Sequence, residues 1–203
     1  MGYLSARLFT WVAGADFYRL FHEEAVHTLP VGRGKSWLDV GCGPGLLVRL
    51  AEERGYEAIG VDSDLSMIRV ARNNSRSKRS RTLFEVGNIS DFPELNADVV
   101  SASSLLAVVP DKKKMLCALW GRVIPGGTLL FIETTSDMTL FAFKKVRNAL
   151  PQKRLCALWL WSMVRGGRSI DAKIFETLPY ESASYTPLLF GLVGVWRFKK
   201  AIS

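Results

Sequence analysis

A chain of 203 residues, 48% hydrophobic and 23% charged, is long enough for one well-buried core and too ordered in composition for a disordered or fibrous protein. Its longest apolar run, Leu155 to Val164, falls short of the about 20 residues a membrane-crossing helix needs. Three scattered cysteines, Cys42, Cys117 and Cys156, argue against a disulfide framework and suit a reduced, cytoplasmic thiol chemistry. The net charge of +8 is unevenly placed, with Arg69, Arg72, Arg76, Lys78, Arg79 and Arg81 supplying six positive charges in a run that contains no acid. Four of these arginines share one helical face, either solvated or turned toward an acidic partner. Arg7 interrupts the N-terminal apolar run, and Ala6 stands where an acylation signal needs Ser or Thr, so neither a leader nor a lipid anchor is expected.

In chain order, residues 4–29 place apolar side chains at helical intervals, with Gly14 dividing them into two short helices. A connector with Pro30, Gly32 and Gly34 follows. The pattern then alternates: strand 36–41, helix 45–54, strand 56–61, helix 64–74, strand 82–86, strand 97–102, helix 111–122, a Pro125-Gly126-Gly127 turn and strand 128–133. Short apolar strands between helical segments predict a doubly wound α/β fold, a mostly parallel sheet with helices on both faces. The ligand crevice then lies at the carboxyl ends of the strands. Residues 137–165 read as one or two helices interrupted near Pro151, with Gly166-Gly167 as a C-cap. The tail predicts a further pair of strands, ending in Leu192 to Lys199, with at least one antiparallel.

The most informative stretch is Trp37 to Gly45, WLDVGCGPG, a strand entering a glycine-rich turn with a helix behind it. Gly41, Gly43 and Gly45 permit a tight turn close to a ligand, and the helix N-terminus can receive an anion. A dinucleotide fingerprint would need glycine where Leu46 stands, and no Lys-Ser/Thr follows for a P-loop. Asp62 ends the next strand, where a carboxylate can accept both hydroxyls of a ribose. Together these features suit a nucleoside bearing a small anionic group rather than a pyrophosphate.

Five stretches, WLDVGCGPG (37–45), GVDSDLSMI (60–68), FEVGNISDFP (84–93), ADVVSASSLLAVVPD (97–111) and LWGRVIPGGTLLFIE (119–133), resemble in order and spacing the class I S-adenosylmethionine-dependent methyltransferases of the small-molecule, type 11 kind. The resemblance covers residues 17–133. It implies a Rossmann-like seven-stranded sheet whose last strand is antiparallel. It also implies one domain over 1–203, with an N-terminal helical cap (1–30) and a helical lid (137–168) inserted between strands five and six. The cofactor implied is S-adenosyl-L-methionine. Asp39 and the backbone of Gly41, Cys42 and Gly43 would hold its methionine end, and Asp62, with Ser63 beside it, the ribose. Met67 would pack near the adenine. Asn88 replaces the family's usual acid, keeping an oxygen for the adenine amino group without charge assistance, and the Ile89 N–H would meet a ring nitrogen. Ser103 would line the sulfonium end, and Tyr18 would cover the cofactor.

Each residue has a plainer reading. Met67, Trp159 and Trp161 can be packing, Cys42 a small filler with no base beside it, and His22 and His27 ordinary surface or core histidines. His22 and Tyr18 are the candidates for catalysis, and no metal site is read. Methyl transfer asks mainly for alignment and exclusion of water, with a base only for a protonated acceptor. The aromatic and aliphatic segments 5–27 and 137–168 suggest a small, apolar or anionic acceptor. The Asn/Asp-Pro-Pro-Tyr/Phe tetrapeptide of base-amino methylation is absent after the fourth strand. A nucleic-acid methyltransferase using the 69–81 face, a cofactor-binding module without turnover, and peripheral membrane contact through 137–164 are the alternatives. Oligomeric state has no signature in the sequence.

Overall fold

Trp37, Leu38 and Val40 are apolar, and the chain buries them, with Asp39 carried in among them, in the middle of a sheet. The computed structural model describes residues 11–202 apart from 13, 77–80, 140, 142–143, 145, 151–154 and 166–168. The strands are β1 (Ser36–Val40), β2 (Glu57–Asp62), β3 (Leu83–Val86), β4 (Ala97–Ser103), β5 (Val123–Thr134), β6 (Ser182–Leu188) and β7 (Val193–Lys199). They form one seven-stranded sheet in the order β3-β2-β1-β4-β5-β7-β6. Every pairing from β3 to β5 is parallel, and β7 runs antiparallel to both its neighbours. The seven-stranded, doubly wound sheet with a reversed last strand is the one expected.

The insertion of β7 between β5 and β6 follows from their side chains. Val193, Gly194, Val195 and Phe198 of β7 are buried and need a strand on each side, whereas β6 exposes Ser182, Ala183, Ser184 and Tyr185 and carries Pro187, which suits an edge.

Alternation along the strands divides the core into two layers. Trp37, Leu130, Ile132 and Val195 face α1 (Asp16–His27), α2 (Leu46–Glu53) and α3 (Leu65–Arg76). Leu38, Val40, Leu129 and Phe131 face α4 (Lys112–Gly121) and the short helical turn Ala172–Thr177. Helix α5 (Leu155–Arg165) joins the first layer through Ala157, Leu158 and Trp161.

One boundary differs from the sequence reading. Pro125-Gly126-Gly127 does not precede the fifth strand but lies inside it: Ala97 pairs with Val123 and Val99 with Thr128, so the extra residues bulge from a continuous β5. Gly126 takes φ +71, which lets the bulge form without ending the strand. The helical segment around 4–10, the Gly166-Gly167 cap, the break at Pro151, and Lys78 and Arg79 of the basic run lie outside the described residues.

Gly45 precedes α2 at φ 76, and a Cβ there would sit 2.6 Å from the Phe84 ring. Gly121, at the end of α4, has open space where a Cβ would stand, with no neighbour within 4 Å. Gly45→Ala should therefore cost roughly 2–4 kcal/mol from left-handed strain and overpacking, while Gly121→Ala should change stability by less than about 1 kcal/mol. Urea midpoints of the two variants check this.

Candidate functional site

Parallel register sets the carboxyl ends of three strands level. Asp39 pairs with Gly60 on β2 and Ser101 on β4, so Gly41, Asp62 and Ser103 emerge side by side at one edge of the sheet. Asp39 is 2% exposed. Its Oδ1 accepts the Ser101 hydroxyl at 2.7 Å, and Ser101 in turn accepts the Trp37 indole N–H at 2.8 Å. Burial, with the nearby Asp62 charge adding to it, pushes the Asp39 carboxyl up to about 7, while the Ser101 hydrogen bond works the other way. Among the described residues no cation pairs with it. A buried acid in that state either holds a proton or receives a cationic ligand.

The turn after β1 is tied to β2. Gly41 and Cys42 N–H both donate to the Val61 carbonyl, at 2.8 and 3.1 Å, and Gly43 N–H donates to Asp62 Oδ2 at 2.8 Å. With those amides engaged, the turn has its carbonyl oxygens left to offer, and the free N–H donors nearby are those of the first turn of α2, whose Leu46 and Leu47 line the recess. Gly41 takes φ +73, and a Cβ on it would lie 2.9 Å from Leu105, so this cradle admits no side chain. Asp62 is further fixed by Asp64 N–H on Oδ1 at 2.8 Å; burial raises its carboxyl above the ordinary range, and these two N–H groups partly offset that. Each oxygen keeps a lone pair for a ligand hydroxyl. The Cys42 thiol, pushed well up by burial and by the Asp39 and Asp62 charges, stays protonated and is no nucleophile.

His22 is 2% exposed, and its two nitrogens can be told apart. Nδ1 lies 2.7 Å from the Tyr18 carbonyl oxygen, which only accepts, so Nδ1 carries the hydrogen. Burial lowers its pKa to about 4, against the Tyr18 bond, so the ring is neutral near pH 7. Nε2 is then an acceptor, and Ser103, 2.9 Å away, donates its hydroxyl hydrogen to it. The Ser103 oxygen is left with its lone pairs for whatever enters from the cavity side. His27 lies on the surface of α1 with Nδ1 against the Glu23 carbonyl, away from this cluster.

A groove of about 680 Å³ runs from these strand ends. Asp62, Ser63, Met67, Asn88, Ile89, Ser103 and Ser104 line it. Val12, Leu160 and Trp161 from outside the motif frame line it as well. Tyr18, His22, Asp39, Gly41, Cys42 and Ser103 surround a smaller recess of about 20 Å³, and Gly41 and Ser103 belong to both. All the sequence-predicted site residues thus converge on one connected region. Asn88 is exposed at its rim, its N–H held by Asp91 Oδ2 at 2.8 Å. Trp159 and Trp161, two apart on α5, separate: Trp159 is 45% exposed, and Trp161 is 3% exposed and faces the groove. Sequence reasoning missed Trp37 and Ser101 beneath Asp39 and the His22–Ser103 contact, which spans 81 positions. On the basic face, Arg72 donates to the Phe84 carbonyl and so helps dock α3 on β3.

A family model described as a methyltransferase domain matches residues 38–131. A ubiquinone biosynthesis O-methyltransferase of Coxiella burnetii is 30% identical over 127 residues, covering 59% of this chain and 54% of that protein. One of Idiomarina loihiensis is 34% identical over 101 residues, covering 48% and 42%. The chain thus spans about half the length of the curated relatives it matches. Among solved structures, magnesium protoporphyrin IX methyltransferase from Synechocystis PCC 6803, with S-adenosylhomocysteine bound, superimposes with a TM-score of 0.70 at 14% identity, covering 98% of this chain and 95% of that one. That likeness is one of fold.

The two buried titrations act on stability with opposite sign. Asp39 is raised from 3.8 to about 7, so its contribution is complete below pH 4 and is lost as pH rises through 7. His22 is lowered from 6.5 to about 4, so its contribution is present above pH 6.5 and is lost as pH falls toward 4. Asp39→Asn removes the first without adding a charge. The ligand-free variant should melt several degrees above the wild type at pH 8.5, the gap closing near pH 4, as read by calorimetry across that range.

Proposed function

We propose that this chain acts as a class I S-adenosylmethionine-dependent methyltransferase and moves the methyl group of that cofactor to an oxygen of a small, largely apolar molecule. The observation that carries the proposal is that one groove is lined both by Asp62, Ile89 and Ser103 and by Val12, Leu160 and Trp161. It thus combines the polar groups a nucleoside needs with apolar side chains that suit a small acceptor. The relatives named as O-methyltransferases support oxygen as the receiving atom.

In this reading Asp62 takes the ribose hydroxyls, with Ser63 beside it, and Met67 and Ile89 pack the adenine while the Asn88 side-chain oxygen meets its amino group. Asp39 and the Gly41 carbonyl take the amino group of the methionine end, the start of α2 its carboxylate, and Tyr18 closes the recess with Cys42 beneath. S-adenosylmethionine supplies a methyl group already activated by the positive charge on sulfur. The protein's part is then to align the acceptor oxygen and keep water out. Ser103 does the first: with its hydrogen committed to His22, it accepts the hydrogen bond of an incoming hydroxyl and so orients that oxygen. His22 is a positioning residue here, since a ring neutral down to about pH 4 keeps Ser103 in its accepting orientation throughout the physiological range.

Titration calorimetry with S-adenosylhomocysteine tests the reading. Binding should tighten from pH 6 to pH 8 as Asp39 ionises to meet the ligand's ammonium group, and Asp62→Asn should weaken it by about tenfold or more, the loss of a charge-assisted contact. Tritium transfer from labelled S-adenosylmethionine should reach 2-naphthol in preference to 2-naphthylamine. Tight binding with no transfer to any hydroxylated aromatic would favour a binding module instead.

A further inference from the structure

The hydrogen bonds around Ser103 and His22 all run in one direction. The Tyr18 carbonyl takes the Nδ1 hydrogen of His22 at 2.7 Å, and the Ser103 hydroxyl donates to the lone pair left on Nε2 at 2.9 Å. Ser103 is half-buried and lines both the recess and the groove, and its oxygen keeps lone pairs for a further donor. A ligand hydroxyl that donates to Ser103 would extend the series, each group giving its hydrogen to the next: ligand hydroxyl, Ser103 Oγ, His22 Nε2.

The ring that ends the series is placed to take a positive charge. Its centroid lies 4.4 Å from that of Tyr18 and 4.2 Å from that of Phe21, a range at which aromatic rings attract a cation. The Tyr18 carbonyl would hold the Nδ1 hydrogen more tightly once the ring is charged. Because burial lowers the pKa of His22 to about 4, the ring meets a ligand neutral, with Nε2 able to receive a proton. So weak a base suffices for methylation of a hydroxyl, since that oxygen becomes strongly acidic as it gains the methyl carbon. The proton has to leave, and a site that excludes water must itself provide the way out.

We propose, resting on the methyl-transfer reading above, that Ser103 and His22 form a relay that carries away the proton of the acceptor hydroxyl. A lone pair of the acceptor oxygen forms the bond to the methyl carbon, and the pair of the carbon–sulfur bond stays with sulfur. The acceptor's proton passes to Ser103 Oγ as the Ser103 hydrogen passes to His22 Nε2. The positive charge lost at sulfur is regained on the imidazole, so the buried site keeps one net charge through the step. A ring so readily deprotonated then releases the proton to solvent. Ser103, which touches the acceptor, is the catalytic residue, and His22 acts through it.

The chain has two histidines, so the ¹⁵N spectrum of the labelled imidazoles is simple. With S-adenosylhomocysteine bound near neutral pH, the signals lost in His22→Gln should be those of a neutral ring with its hydrogen on Nδ1. His22→Gln keeps an oxygen that can accept the Ser103 hydrogen but cannot take a proton, so it preserves orientation and breaks the relay. Single-turnover methylation of 2-naphthol should slow about tenfold to hundredfold in His22→Gln and in Ser103→Ala, with the double variant no slower than either. With pentafluorophenol, which arrives already ionised, the slowing should be about fivefold or more smaller, since no proton has to leave. A His22 ring with its hydrogen on Nε2, no slowing with 2-naphthol, or equal slowing with both phenols overturns the relay. Should His22→Gln misfold, the signals that remain in His27→Gln identify the ring, and Ser103→Ala supplies the rates. Wild type that methylates neither phenol refutes transfer to oxygen and the relay with it, whereas wild type that methylates both, with variants slowed equally on the two, refutes only the relay.

Discussion

Asp39 carries a carboxylate into the centre of the sheet, where desolvation penalises its charged form, and much of the surrounding structure answers to that burial. Trp37 and Ser101 supply a relay of two hydrogen bonds from below. The turn above it is lashed to β2 through Val61 and Asp62, which engages the amides of Gly41, Cys42 and Gly43. The result is a recess around a buried acid that either holds a proton or meets a positive charge, at the end of a central strand of the sheet.

The site is built from two halves of different character. The strand-end half is set by backbone pairing: the register that puts Asp39 opposite Gly60 and Ser101 also sets Asp62 and Ser103 at the same level. The cap half is set by side-chain packing. Phe17, Tyr18, Phe21 and Trp161 form one aromatic cluster that joins α1 to α5, and His22 reaches from that cluster to Ser103. Through that one hydrogen bond the cap decides which way the Ser103 hydroxyl points.

Charge placement follows the same division. Arg72 of the basic helix face docks its helix through the Phe84 carbonyl, and Lys200 donates to the Trp120 and Val123 carbonyls, so these two cations serve helix ends and strand starts rather than a shared surface for an acidic polymer. Asp39 and Asp62, by contrast, lie toward the carboxyl ends of the strands.

The cofactor half was legible in the sequence because it is local. A strand, a glycine turn and a helix occupy consecutive residues, and Gly41, Gly45 and Asp62 each announce a backbone or charge requirement that few other residues meet. The strand order was legible in outline, but the Pro125-Gly126-Gly127 bulge was not, since the same three residues suit a turn equally well until the pairing of β5 with β4 is known. The His22–Ser103 bond was out of reach, and Trp159 and Trp161 look alike as letters. By itself the sequence determined the alternation of strands and helices and the glycine turn, because periodicity and turn chemistry act over a few residues; the cofactor class came from its resemblance to a family. Only the tertiary structure decided which tryptophan lines the groove and which histidine nitrogen holds the hydrogen, because those depend on packing between segments far apart in the chain.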